Sequence, residues 1–88
     1  MRLAALASLE DQAEKEARRA KSETDPNRKK IAEQNAASMR AMADNQINEV
    51  ERIANQSKAA EPANAAVLLD YVRQARDYLR ARRAAFKP

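Results

Sequence analysis

The chain has 88 residues, with 17 Lys and Arg against 13 Asp and Glu and a formal net charge of +4. It contains no glycine, cysteine, histidine or tryptophan. These absences exclude glycine-rich phosphate loops, disulfide frameworks and the chemistry of histidine or cysteine side chains. The composition favours helix-forming residues. We therefore expect one all-α domain over residues 1–88 whose function lies on helix surfaces.

Two internal prolines divide the chain into three predicted helices. The first is predicted near residues 2–22. Asp25 and Pro26 have the residue types of an N-cap and a first helical position, which predicts a second helix near 26–58. Glu61 and Pro62 predict a third helix near 63–86, with Asn64 as a competing N-cap. The short connections predict an up-down-up antiparallel three-helix bundle.

Each predicted helix carries one stripe of residues at spacings of three and four, which is typical of a buried face. The stripe of the first helix has Leu3 at its edge and comprises Leu6, Leu9, Ala13, Ala17 and Ala20. The stripe of the second comprises Ala32, Asn35, Met39, Met42, Gln46, Val50, Ile53 and Ser57. The stripe of the third comprises Leu68, Val72, Ala75, Leu79 and Phe86.

The second stripe contains two amides, Asn35 and Gln46, beside Met39 and Met42. One interpretation is that the amides are hydrogen-bonded in the core or lie at a partly hydrated edge. The other is that the two methionines line a groove for a partner, because methionine adapts to irregular contact surfaces. The sequence leaves both open.

The third helix has two distinctive flanks. Tyr71 and Tyr78 form an aromatic shoulder, with Arg82 on the same side. The other flank carries an arginine ridge that consists of Arg73, Arg76, Arg80 and Arg83. Tyrosine and arginine are enriched in interface hot spots, so we expect this helix to be a binding surface. The alternative is a solvated ridge that Asp77 partly neutralises.

Acidic residues offer no convincing catalytic pair. Glu10 and Glu14 share a face, as do Asp70 and Asp77, but all lie among Lys and Arg, which favours a solvated salt-bridge face. A helical di-metal carboxylate site would normally add histidines, and there are none. We therefore expect a protein that is not an enzyme, without catalytic residues, cofactor or metal.

No apolar run approaches the length of a membrane span. The stretch after Arg2 runs straight into Glu10 and Asp11, so we do not interpret it as a signal peptide. We expect a soluble protein without membrane association, cytoplasmic if it is natural.

Two resemblances add to these predictions. Pro62, Leu68, Tyr71 and Tyr78 resemble the central part of type III secretion needle subunits, small helical proteins that polymerise into a tube. The whole chain is similar to computationally designed helical bundles in its lack of cysteine, its Asp-Pro helix start at Asp25 and its surface of Ala, Glu, Lys and Arg. The second resemblance implies a binder whose unusual Met, Asn, Tyr and Arg positions are set by a target.

We expect a non-catalytic helical protein-binding module, a designed binder that uses the third helix and one face of the second. Tyr71, Tyr78 and Arg82 would be anchors, Met39 and Met42 would line the face of the second helix, and the arginine ridge would attract an acidic partner. The alternative is a structural subunit of a helical homo-oligomer or filament. Weak nucleic-acid binding through the ridge ranks third, because no recognition motif accompanies the arginines.

Overall fold

The computed structural model describes residues 3–88, which form three helices and no strand. Helix α1 spans Ala4–Ser22, α2 spans Pro26–Ser57 and α3 spans Pro62–Ala85. The predicted all-α class and the number and order of its helices are confirmed. Observed and predicted bounds agree within two residues, and the predicted first residue of the first helix, residue 2, lies outside the described residues.

Helix α2 begins as the sequence predicted. The backbone N–H of Asn27 donates to Asp25 Oδ1 at 2.9 Å, so the aspartate caps a helix whose first residue is Pro26. Two residues before Asp25, Glu23 Oε1 accepts hydrogen bonds at 3.1 Å from the backbone N–H groups of Thr24 and Asp25. Side-chain oxygens therefore build a turn that in many proteins would use glycine.

Helix α3 begins with Pro62, directly after Glu61. The carbonyl oxygen of Glu61 accepts the first helical hydrogen bond, from Ala65 N–H at 3.0 Å. Asn64 lies inside the first turn and donates from Nδ2 to Glu61 Oε2 at 2.7 Å. The competing N-cap at Asn64 is therefore wrong, because Pro62 already has a backbone φ suited to the first helical position.

The chain is organised into two compact units, and α2 contributes to both. The first unit comprises α1, α2 as far as Ala43 and the segment Phe86–Pro88. The second unit is the hairpin Asp44–Ala85, which consists of the remainder of α2 and α3.

The core of the first unit is built mostly of alanine, and its buried apolar residues are Leu6, Ala13, Ala20, Ala32, Ala36 and Ala43. Glu10 is also fully buried, so its predicted place on a solvated face is wrong. Its position, four residues after Leu6 and three before Ala13, does fit the buried stripe of α1. Leu9, which was predicted in that stripe, is half-buried.

The core of the second unit takes two residues from α2 and four from α3, namely Ile47, Ala54, Ala65, Val72, Ala75 and Leu79. The predicted stripe of the third helix is confirmed at Val72, Ala75 and Leu79. Leu68 is half-buried. Phe86 is also half-buried, but it follows the end of α3 and belongs to the first unit.

The predicted buried face of α2 is wrong at three positions. The exposed fractions of Met42 and Ile53 are 49% and 45%, and Gln46 is exposed. Asn35 is half-buried. The residues that α2 buries besides Ala32 are offset along the chain by about one position, which turns the face by about 100°; they are Ala36, Ala43, Ile47 and Ala54.

Alanine explains this difference. Because α2 has alanines on neighbouring faces, two stripes at spacings of three and four run along it, about one residue apart. The larger apolar residues favoured one stripe in the sequence, whereas alanines let neighbouring helices approach closely along the other.

Candidate functional site

The ridge of Arg73, Arg76, Arg80 and Arg83 lies on α3 in the second unit, beside the buried residues Val72, Ala75 and Leu79. Spacings of three and four keep the four side chains on one flank of the helix. Ion pairs from two of them reach α2, so this flank faces the second half of α2.

Arg76 is fixed by a fork of hydrogen bonds to α2. Its Nη1 donates to Glu51 Oε2 at 2.8 Å, and its Nη2 donates to Glu51 Oε1 at 2.9 Å. Nη2 also donates to Asn48 Oδ1 at 3.1 Å. Two parallel N–H···O bonds to one carboxylate fix the direction as well as the distance of the guanidinium.

Arg83 forms a second clamp between the two helices. Its Nη1 donates to Asp44 Oδ1 at 2.9 Å. From Arg76 to Arg83 is seven residues forward on α3, and from Glu51 to Asp44 is seven residues back on α2. Within the hairpin the two helices therefore run antiparallel.

The electrostatics of the first clamp match its geometry. The hydrogen bond from Arg76 holds the pKa of Glu51 below its ordinary value, although partial burial acts in the opposite direction. The same hydrogen bond raises the pKa of Arg76. Both groups are consequently charged at neutral pH, as a charge-assisted clamp requires.

Arg73 and Arg80 form their ion pairs with the helix turn before them. Arg73 Nη2 lies 2.6 Å from Asp70 Oδ1, and Arg80 Nη1 lies 3.5 Å from Asp77 Oδ1. Their side chains are 65% and 78% exposed. Such exposed pairs contribute little to stability, because water and salt screen them. These two arginines therefore present most of their donors to solvent.

Two open grooves follow this flank. One has a volume of about 310 Å³ and an apolar floor of Leu69 and Val72; its charged lining residues are Arg73, Arg76, Arg80, Glu51 and Asp77. The other has a volume of about 560 Å³ and shares Arg76 and Arg80; its remaining lining residues are Asp44, Ile47, Asn48, Leu79 and Arg83. An apolar floor with a charged rim is the usual arrangement of a protein-binding patch.

The predicted aromatic anchors lie on a different surface. Tyr71 and Tyr78 are half-buried, and Arg82 Nη1 donates to Tyr78 Oη at 2.8 Å. Arg80 is two positions after Tyr78 on α3, which corresponds to a rotation of about 200° around the helix. The ridge and the aromatic shoulder therefore cannot both face one flat partner.

The two methionines are placed in the first unit. Met39 is half-buried and Met42 is exposed. The hairpin that carries the ridge begins at Asp44, so the structure does not bring Met39 and Met42 into one compact unit with the tyrosines and arginines of α3.

Sequence reasoning missed the partners of the ridge on α2. Asp44, Asn48 and Glu51 recur at spacings of four and three, as a helical stripe should. That spacing was visible in the sequence, but the alignment of α2 with α3 was not. The stripe could be assigned to the ridge only once the two helices were docked.

Over residues 3–88 no group of three or more potential ligands could hold a metal ion. None of the helices in the described part of the chain is long and apolar enough to cross a membrane.

No protein-family model matches the chain, and neither a curated protein nor a solved structure matches it. The resemblances to designed bundles and to secretion needle subunits therefore stay predictions.

Proposed function

We propose that the chain is a non-catalytic helical module that binds an acidic protein helix along the ridge of the second unit. The observation that carries the proposal is the division of the ridge. Arg73 and Arg80 are exposed on either side of Arg76, which Glu51 fixes, above a floor of Leu69 and Val72.

The spacing of the two exposed arginines fits a helical ligand. Arg73 and Arg80 are seven residues apart, about 10.5 Å along α3. Two carboxylates at positions i and i+7 of a partner helix have the same separation. An apolar side chain between them would meet Leu69 and Val72, which is the helix-in-groove mode of recognition.

The weak ion pairs of the two exposed arginines favour an acidic ligand. Asp70 and Asp77 hold Arg73 and Arg80 by exposed pairs that a partner carboxylate can replace at small cost. Arg76 stays tied to Glu51 and keeps the groove in shape. Preorganisation of this kind lowers the entropic cost of binding.

A titration of the 15N-labelled chain tests the proposal. The probe is a capped helical peptide with two glutamates seven residues apart and leucines between them. We expect its binding to shift backbone amide signals of residues 69–80 and to weaken with salt. The matched control peptide has glutamine at both positions. Equal binding of the two peptides, or shifts outside the second unit, would contradict the proposal.

A structural subunit of a homo-oligomer is the second candidate. The observation in its favour is that Val67 and Ile53, both in the second unit, are 62% and 45% exposed. Exposed apolar residues of this size are common in interfaces between copies. Sedimentation at micromolar concentration decides this point, because a single monomeric species would contradict the assembly.

Nucleic-acid binding is the weakest candidate. Each ridge arginine has a carboxylate partner, at Asp70, Glu51, Asp77 or Asp44. A phosphate backbone binder needs several cations free to replace counterions. The ridge offers only two exposed arginines for that purpose.

A further inference from the structure

The first unit contains a separate basic groove. It is open, with a volume of about 480 Å³, and its small lining residues are Ala17, Ala20, Ala36 and Ala37. Three cations, Lys21, Lys29 and Arg40, stand along it with one acidic residue, Glu33. The groove has therefore an apolar floor and a rim of net positive charge.

A segment of the chain lies beside this groove and reaches it at Pro88. The centroid of the Phe86 ring lies 5.1 Å from Arg18 Cζ and 5.7 Å from Arg40 Cζ, so both guanidinium groups contact the ring. Two residues later, Lys21 Nζ donates to the carbonyl oxygen of Pro88 at 2.9 Å, and Pro88 lines the groove. These contacts show which groups the site accepts, namely an aromatic face and an oxygen acceptor.

The resident segment has an unfavourable charge for this site. Lys87 stands between these two contact residues in the sequence and gives the segment a positive charge, the same sign as Lys21, Lys29 and Arg40 on the rim. A ligand with a carboxylate in place of that ammonium group would carry the charge opposite to these three cations. The groove is therefore better matched to an acidic segment than to Phe86–Pro88.

We propose that this groove binds an acidic peptide segment of a partner protein that contains an aromatic residue. The aromatic ring takes the position of Phe86 beside Arg18 and Arg40. A following carboxylate meets Lys21 and Lys29, and the resident segment is displaced. This site lies in the first unit and does not depend on the function proposed for the ridge.

The test is a titration of the full 15N-labelled chain with a capped peptide in which glutamates precede phenylalanine, glutamate and proline. We expect shifts at Ala17, Ala20, Ala36 and Ala37, together with a change in the Phe86 ring signals as the segment leaves. Replacing phenylalanine by alanine in the peptide should weaken binding about fivefold, and replacing the glutamates by lysine should weaken it more. Binding without a change at Phe86 would overturn the proposal.

Two variants of the protein make the test specific. Lys29→Gln removes a rim cation, and we expect it to weaken peptide binding about threefold or more. Arg28→Gln is the matched control, because Arg28 is adjacent and exposed but pairs with Asp25 at 3.8 Å and does not line the groove. If the two variants weakened peptide binding equally, binding would depend only on net charge, and this result would overturn the proposed site. Failure here would leave the binding of the ridge untouched, since the two peptides report on different units.

Discussion

The four arginines of the ridge have different roles, which depend on the position of the carboxylate that each one pairs with. Arg76 and Arg83 face carboxylates on α2 and tie two helices together. Arg73 and Arg80 each pair with a carboxylate one turn earlier on α3 and stay exposed. The ion pairs of Arg76 and Arg83 therefore hold the hairpin together, whereas those of Arg73 and Arg80 are pairs that a ligand can replace.

The residue-scale prediction concerns the N-cap of α2. Asp25→Ala removes the acceptor for Asn27 N–H and leaves that donor without its cap. We expect the free energy of unfolding to fall by about 1 kcal/mol, measured by chemical denaturation. Thr24→Ala is the control, since only the backbone of Thr24 takes part in the turn. An equal loss in the control would show that the cap contributes nothing specific.

At the scale of elements, the clamp between Glu51 and Arg76 aligns α2 with α3. Because Arg76 holds the pKa of Glu51 in the folded state below the ordinary 4.5, folding stabilises the ionised carboxylate. This contribution is complete above about pH 4.5 and disappears as the pH falls through the lower folded-state pKa. The clamp therefore makes the hairpin sensitive to acid.

We expect Glu51→Gln to lower the midpoint of thermal unfolding at pH 7 and to reduce the further loss on acidification. The control is Glu49→Gln, because Arg52 lowers the pKa of Glu49 in the same way but from within α2. Circular dichroism melts of both variants between neutral and acidic pH give the comparison. A smaller effect of Glu51→Gln than of Glu49→Gln at pH 7 would contradict the role of the clamp between helices.

The elements also show what the sequence can and cannot predict. Helix boundaries were accessible because Pro26, Pro62 and Asp25 act through local backbone geometry. The buried face of α2 could not be predicted in this way, because alanine is compatible with two neighbouring stripes. Met42 favoured the stripe that the structure leaves largely unburied. The burial of Glu10 was not predicted, because its charge suggested a solvated face although its spacing fits the buried stripe of α1.

The same limit applies to the candidate site. Four arginines at spacings of three and four predicted the ridge and its flank. Their division into fixed and exposed members depends on Asp44 and Glu51, which lie far away in sequence. Such contacts require the relative alignment of two helices, which local pattern does not encode.

For the molecule as a whole, the net charge of +4 is modest, but two regions of the chain are clearly basic. Residues 62–88 carry six basic and two acidic residues, and residues 15–43 carry eight basic and four acidic residues. Each region lines an open groove, one in each compact unit. The chain contains no glycine, and both grooves are lined mainly by helix residues.

The central claim is tested most directly with the helical peptide that has two glutamates seven residues apart. Its affinity for the Arg80→Gln variant is compared with its affinity for the Arg52→Gln variant. Both variants remove one exposed arginine from an ion pair with the carboxylate three residues earlier on its own helix, but Arg52 lines neither groove of the second unit. We expect Arg80→Gln to raise the dissociation constant at least about fivefold, equivalent to about 1 kcal/mol, and Arg52→Gln to leave it nearly unchanged. Equal affinities for the two variants would contradict recognition through the ridge.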